Sequence, residues 1–270
     1  MHPALHTIDH RPWPMPASHW RLSQNWLDLL FAHYPVPPNA LRPLVPNALE
    51  IDTFEGQSWV GVVPFRMTGI RVWPFPSVPG TSAFLELNLR LYVRYQDRPG
   101  VWFISLDASN TLAVHTARWL FDLPYHRAKM RMKTRGDTFQ FWSDRPARTL
   151  RPRLSADPRS PVRVEFTAEY TPTGPEFLAA RGSLEHFLTE RYCLYSLSPR
   201  GRLCRSEVHH APWPLRVARG QVDAAGLLAA TGLESHASQP PLLHFSRGVS
   251  TIIWNPARVD SNRVNHLPES

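Results

Sequence analysis

The chain has 270 residues, 43% of them hydrophobic and 11% aromatic, so it can bury a sizeable core and is not expected to be disordered. No apolar run approaches the ~20 residues that cross a bilayer, and the first twenty residues lack a signal-peptide pattern, which together predict a cytoplasmic, globular protein. The formal net charge is +8, but the basic side chains are almost all arginines, which a genomic preference for Arg explains better than a polyanionic partner.

The first quarter of the chain predicts an arm, a strand and a short helix. Residues 1–20 show no periodic pattern and predict an irregular N-terminal arm. The apolar run within 25–34 favours a buried strand, although its length leaves a helix possible. Prolines at the start of 37–44 predict one or two helical turns.

Strands are predicted next at 59–67 and 83–95. In the second of them leucine or valine alternates with polar residues over ten positions, which is the two-residue period of a strand. One face is therefore apolar and the other carries Glu86, Asn88 and Arg90. Such a polar face is usually in water, but in a closed or cone-shaped barrel it would line a cavity.

The rest of the chain predicts mainly short strands, in keeping with the 28 prolines against 13 glycines of the whole sequence. A turn at 97–100 leads into a strand at 101–106, and Ser109 and Asn110 could cap a helix ending near residue 121. Ser183 could cap a further short helix. The remaining strands are predicted at 125–134, 138–143, 162–170, 190–197, 202–209 and, as a pair, in the LLHFS and VSTIIW segments after Pro240. We expect one domain over residues 21–258 and a polar tail over 259–270.

Several functional classes find no support in the sequence. Glycine-rich phosphate loops, a Gly-x-Ser-x-Gly elbow and a Rossmann glycine pattern are absent, which disfavours nucleotide enzymes and α/β-hydrolases. The arginine-rich segment 144–163 lacks interleaved aromatics and is interpreted as an exposed loop, so nucleic-acid binding is only a minor alternative. Cys193 and Cys204 are expected to be reduced, buried thiols.

A polar cluster is predicted near the end of the 202–209 strand. Glu207 and His209 share a face of that strand, and with His244 or His115 they could form a three-ligand metal site. No HExxH or CxxC spacing supports a metal. A pocket wall and structural hydrogen bonding therefore remain the alternatives, and no metal or cofactor is assigned.

Across residues 26–254 the sequence resembles a large bacterial family of uncharacterised proteins, the DUF2071 (YqjF-like) group, which belongs to the acetoacetate decarboxylase-like superfamily. The segments that carry the resemblance are LLFAHYPVPPNALRPLVPNALEIDTFEG, WVGVVPFRM, FLELNLR, GVWFISLDASN, ARWLFDLPYHRAKM, LTERYCLY, EVHHAPWPL and LLHFSR. The resemblance implies a β-rich α+β fold, namely a bent barrel or cone of antiparallel strands with a few short helices. No activity is attached to the DUF2071 family itself.

The decarboxylases of the superfamily use a reactive lysine, which forms a Schiff base with a keto acid. Here Tyr125 and His126 stand where that lysine and its cationic neighbour are expected, and a phenol cannot form an imine. Only Lys129 and Lys133 carry primary amines on side chains. Glu86 matches the strand carboxylate that lies beside the reactive lysine in the decarboxylases.

We therefore predict an inherited cavity that binds a small organic acid or carbonyl compound without imine chemistry. The candidate catalytic residues are Glu86 and Tyr125. The candidate substrate-binding residues are Asn88, Arg90, His115, Arg118, His126, Glu207 and His209. Whether the protein is an enzyme stays open: a lyase-like activity is one possibility, a non-catalytic ligand-binding or interaction protein is the alternative, and a homo-oligomer is possible.

Overall fold

The computed structural model describes residues 2–75, 83–110, 122–146, 163–236 and 238–259. These residues form one mainly antiparallel sheet of fourteen strands. The strands are β1 (Leu22–Val36), β2 (Glu50–Ile51), β3 (Ser58–Val72), β4 (Phe84–Tyr95), β5 (Arg98–Ala108), β6 (Tyr125–Arg127), β7 (Lys129–Arg135), β8 (Thr138–Pro146), β9 (Arg163–Phe177), β10 (Cys193–Leu197), β11 (Leu203–His210), β12 (Leu215–Asp223), β13 (Leu242–Ile253) and β14 (Ala257–Arg258).

Part of the sheet closes into a ring of seven strands. Their order is β11-β10-β5-β4-β3-β1-β13, and β13 returns to β11 through the pairs Val208↔Ile253 and His210↔Thr251. The other half of β13 pairs with β12, and the sheet continues through β9 and β8 to β7. One long strand thus joins a barrel to a four-stranded extension.

Within the described residues, helices are few and short. They are α1 (Pro38–Leu41), α2 (Leu184–Thr189) and α3 (Ala225–Ala229), with 3-10 turns at Pro3–His6, Arg42–Leu44 and Glu234–His236. The Ser183 hydroxyl accepts a hydrogen bond from the His186 amide and caps α2, as the sequence predicted. None of the helices in the described part of the chain is long and apolar enough to cross a membrane. The β-rich fold with a few short helices that the sequence predicted is confirmed.

The apolar residues form two main cores, one on each side of the barrel wall. Leu29, Phe31 and Phe65 point into the barrel. Leu89 and Phe141 belong to the second core, between the outside of the barrel and the extension. Both faces of β4 are therefore buried. The polar face of such a strand is usually in water, but here it lies inside the barrel.

Three sequence predictions need correction, and a fourth falls outside the described residues. The LLHFS and VSTIIW segments are not a strand pair but the single strand β13, because Gly248 serves a close approach to β1 and not a turn. The predicted strand 125–134 is split into β6 and β7 at Ala128. The helix alternative for residues 25–34 is wrong, since they lie within β1. The predicted helix ending near residue 121 lies outside the described residues.

Candidate functional site

The barrel interior contains a cavity of about 130 Å³. Most of its wall is apolar, with side chains such as Leu29, Phe65 and Val208. The polar residues on the wall are Gln24, Glu86, Asn88, Tyr125, Arg191 and Cys193. A water molecule needs roughly 10–15 Å³ on this scale, so the cavity has room for a ligand of about ten non-hydrogen atoms.

A β-bulge in β1 explains how the cavity wall is assembled. Asp28 has a φ of 54°, and the pairing of β1 with β3 shifts register after Leu27. Because one residue is inserted, even-numbered side chains before the bulge and odd-numbered ones after it face the same side. Gln24 and Trp26 therefore line the cavity together with Leu29.

Glu86 and Tyr125 meet on the cavity wall. Glu86 lies on β4 and Tyr125 on β6, the two strands that flank this end of β5. The Tyr125 hydroxyl donates a hydrogen bond to Glu86 Oε2 over 3.0 Å. The two residues are 2% and 7% exposed, respectively. The structure thus places the two candidate catalytic residues in contact and away from bulk solvent.

The Glu86 carboxyl is held in its neutral form at pH 7. Burial raises its pKa to about 8, against the hydrogen bonds from Tyr125 and Asn88, and the nearby Asp107 carboxylate acts in the same direction as burial. Burial and the Glu86 carboxyl likewise raise the pKa of Tyr125 well above its ordinary value. Both groups therefore carry protons that can be donated in hydrogen bonds.

A buried ion pair lies behind this site. Arg145 Nε is 2.7 Å from Asp107 Oδ2, and the two side chains are almost fully buried. Burial raises the pKa of Asp107 to about 6, while the Arg145 guanidinium opposes that rise. Asp107 alternates with Leu106 on β5, so its side chain lies on the face opposite the cavity and acts on Glu86 through its charge alone.

Other polar residues on the wall differ in how far they are already engaged. Arg191 donates to Asp52 Oδ2 over 2.6 Å and packs on the Phe187 ring, so its guanidinium is already engaged, although Asp52 also accepts a hydrogen bond from Arg94. Burial raises the pKa of the Cys193 thiol to about 12, which leaves it protonated. Gln24 is 6% exposed, and its side-chain amide has no hydrogen bond within the described residues. Sequence reasoning missed Gln24 because its position on the inner face depends on the bulge.

Three further candidates, two on β4 and one on β6, have different surroundings. Asn88 lines the cavity and is hydrogen-bonded to Glu86. Arg90 is buried in the barrel outside the cavity wall, where its guanidinium donates to the Leu188 carbonyl and packs over Phe31. His126 is buried beside Tyr125 but, as its neighbour on β6, faces the other side of the strand.

Glu207 and His209 do not join the cavity. Both alternate with the cavity-lining Val208 on β11 and thus face outward. Glu207 accepts hydrogen bonds from Arg11 and Trp13 of the N-terminal arm. His209 Nε2 is 2.8 Å from the carbonyl oxygen of Ala4 in the same arm. These contacts attach the arm to the barrel. Of the alternatives considered for Glu207 and His209, they correspond to structural hydrogen bonding.

The remaining residues singled out in the sequence are a potential metal ligand, two substrate-binding candidates and the two lysines. His244 packs edge-on against Phe177, and the described residues contain no group of three potential ligands that could hold a metal ion. His115 and Arg118 lie outside the described residues. Lys129 and Lys133 are exposed on β7 and are not part of the cavity wall.

Comparison with known proteins supports the assignment made from the sequence. The family model DUF2071, uncharacterized conserved protein, matches residues 23–250. The chain is 39% identical over 240 residues to the uncharacterized protein YqjF of Bacillus subtilis (strain 168). The aligned region covers 89% of this chain and 93% of YqjF.

Solved structures show a similar fold at low sequence identity. Acetoacetate decarboxylase from Legionella pneumophila aligns with a TM-score of 0.60 and 13% identity, covering 93% of each chain. The enduracididine biosynthesis enzyme MppR complexed with pyruvate aligns with a TM-score of 0.59 and 16% identity, again covering 93% of each chain. At these identities the likeness establishes the fold alone.

Proposed function

Since the chain belongs to the DUF2071 family of uncharacterised conserved proteins, whose name carries no activity, we propose a function from the contents of its barrel. The protein binds a small, uncharged carbonyl compound whose oxygen accepts a hydrogen bond from Glu86. The observation that carries the proposal is the buried, neutral Glu86 carboxyl, held by Tyr125 on the wall of an otherwise apolar cavity.

The charge of the cavity wall favours a neutral ligand over an organic acid. Arg191 is the one cationic side chain among the described wall residues, and it is already paired with Asp52. A ligand carboxylate would be desolvated here without a free counter-charge, which is strongly unfavourable. A ketone or aldehyde needs only one donor, and the apolar wall accommodates its carbon chain.

Glu86 and Tyr125 define what the site can do chemically. The Tyr125 hydroxyl donates to Glu86 Oε2 and Asn88 also hydrogen-bonds to this carboxyl; lone pairs of the carboxyl accept both bonds, which leaves its proton to donate to a carbonyl. Such a donor polarises the carbonyl bond in the manner of an oxyanion-stabilising group. Imine formation is not part of the proposal, because both lysine side chains lie outside the cavity.

A ligand-binding protein without turnover is the second candidate. It is favoured by the state of the cavity's nucleophile, since Cys193 is held as a thiol, and thiolates are the reactive form. The two candidates share the ligand class and differ only in whether the bound carbonyl is converted.

A matched set of probes tests the ligand class. We expect hexan-2-one to bind in ligand-observed NMR at pH 7, and hexanoate and hexylammonium to bind weakly or not at all. Glu86→Leu should abolish ketone binding, and Glu86→Gln should retain it because its amide keeps a donor. Glu176→Leu, which changes an exposed glutamate, is the control and should bind as the unmodified protein does. Tighter binding of hexanoate than of the ketone, or full binding by Glu86→Leu, would overturn the proposal.

The absence of imine chemistry has its own test. After incubation with acetoacetate and borohydride, mass spectrometry should detect no reduced adduct on Lys129 or Lys133. A stoichiometric adduct on either lysine would contradict this part of the proposal.

A further inference from the structure

The outer edge of the sheet extension carries a regular row of cations. Arg127, at the end of β6, and Lys129, Arg131, Lys133 and Arg135 on β7 are all exposed. They occupy alternate positions along the chain, so on β7 their side chains share the solvent-facing side, spaced ~6.6–6.8 Å apart. We call these five residues the cationic row.

Acidic residues share the face of the sheet that carries the cationic row, but they do not form ion pairs with it: Asp144 lies opposite Lys129 on β8, and Glu165 and Glu169 lie on β9. Within the described parts of the chain, no carboxylate lies within ion-pair distance of any of the five side chains. Arg131 packs over the ring of Trp142, and the indole N–H of Trp142 donates a hydrogen bond to Glu165. The row therefore offers several cations to a partner at once.

Among the described strands, β7 also has one backbone edge without a neighbour. The strand pairs with β8, and no other described strand pairs with its outer edge. In an edge strand alternate residues point their N–H and C=O groups away from the sheet, where an added strand can bond to them. The opposite side of β7 presents Met130 and Met132, which are half-buried against the second core.

We propose that the β7 edge binds an extended segment of a partner protein in which acidic residues alternate with apolar ones. The segment adds to the sheet as a further strand. Its Asp or Glu side chains lie opposite the cationic row, and its apolar side chains extend the contact of Met130 and Met132 with the core. The side-chain period of the segment matches that of the row, because both are β-strands.

Two other occupants fit less well. A second copy of this chain pairing edge to edge would place cations opposite cations, which is unfavourable. Single-stranded nucleic acid uses rows of aromatic side chains for base stacking, whereas the aromatic side chain contacted by the row is Trp142, already engaged by Arg131 and Glu165. Nucleic acid would also leave the backbone edge without hydrogen-bond partners.

Fluorescence anisotropy with labelled heptapeptides tests the proposal. A peptide alternating Glu or Asp with Val should bind, and a peptide of the same composition with its acids in one block should bind more weakly. The double variant Arg131→Glu/Lys133→Glu should lose about tenfold or more in affinity, since two attractive cross-strand pairs become repulsive. Arg200→Glu/Arg202→Glu, which makes the same charge change in an exposed turn, should bind as the unmodified protein does.

Backbone methylation separates strand addition from simple charge attraction. One alternating peptide is N-methylated on its acidic residues and another on its valines. Strand addition predicts that one of them loses binding and the other keeps it, because alternate amides face the edge. Equal binding by the two peptides, tighter binding of a thymidine oligonucleotide, or no effect of Arg131→Glu/Lys133→Glu would overturn the proposal.

Discussion

At the scale of single residues, the balance of forces on Glu86 decides the chemistry of the cavity. Hydrogen bonds from Tyr125 and Asn88 favour the ionised carboxylate, and burial disfavours it; burial dominates and the pKa rises to about 8. A carboxyl group that is neutral at pH 7 donates a hydrogen bond, whereas an ionised one only accepts. The sequence identified Glu86 and Tyr125 as candidates. The protonation state of Glu86, however, depends on closure of the barrel, which no local sequence pattern encodes.

The raised pKa of Glu86 also makes stability depend on pH. Below its ordinary value of 4.5 the group is protonated in the folded and unfolded states, and between 4.5 and about 8 it is ionised only in the unfolded state. Its contribution to stability is therefore lost as the pH rises through this window. Glu86→Gln removes the titration, so the variant should gain stability relative to the unmodified protein as the pH rises, by roughly 4–5 kcal/mol.

Urea unfolding at pH 5, 7 and 8.5 measures this difference. Taking the difference between the two proteins cancels the contributions of the buried histidines, such as His33 and His210, whose pKa values are lowered by burial. A difference in unfolding free energy that is constant over this pH range would show that Glu86 has an ordinary pKa.

At the scale of elements, the alternation of strands predicted most of the sheet but not its irregularities. The two-residue period of β4 identified a strand with an apolar and a polar face. The Asp28 bulge and the continuity of β13 were missed, since each depends on the strand alongside: Asp28 inserts a residue opposite β3, and Gly248 lies against the backbone of β1. Residues outside the period, such as Gln24, were missed for the same reason.

Gly248 should be the least replaceable glycine of the barrel. Its φ is 127°, and a Cβ atom there would lie 2.0 Å from the carbonyl oxygen of Trp26. Gly248→Ala should therefore destabilise the protein by about 3 kcal/mol or more, because both the backbone conformation and the contact are forbidden. Gly136→Ala is the matched control: its φ of 58° is also positive, but its Cβ would meet nothing within 4 Å.

Thermal or chemical unfolding compares the two glycine variants. The Gly136→Ala variant should lose only about 1 kcal/mol, the usual penalty for a left-handed alanine. Equal losses in the two variants would mean that β13 and β1 do not approach each other as closely as the structure indicates.

At the scale of the whole molecule, the N-terminal arm is attached to the outside of the barrel by buried charge. Arg11 donates to Glu207 over 2.9 Å with only 2% of its side chain exposed, and it also donates to the Val208 carbonyl. The sequence grouped Glu207 with His209 correctly as neighbours on one strand face. It could not reveal that this face is covered by the arm, because the partners are some 200 residues apart in the chain.

This attachment predicts strong coupling between the arm and the barrel. Glu207→Gln should destabilise the protein by about 3 kcal/mol, since it leaves the buried Arg11 charge without its carboxylate. In a double-mutant cycle with Arg11→Met the coupling should exceed ~1 kcal/mol. The pair Arg66 and Asp28, at 2.7 Å, serves as the control because 47% of the Arg66 side chain is exposed, and it should couple by less than ~1 kcal/mol. Similar coupling energies in the two cycles would contradict the attachment of the arm through a buried ion pair.

The state of a bound carbonyl tests the central claim most directly. Infrared difference spectra of hexan-2-one labelled with ¹³C at its carbonyl report whether that oxygen accepts a hydrogen bond in the cavity. We predict that the band of the bound ketone lies at lower frequency than in an apolar solvent, and that Glu86→Leu abolishes both this shift and the binding. A ketone that binds equally well to Glu86→Leu, with its carbonyl band unshifted in both proteins, would contradict the account.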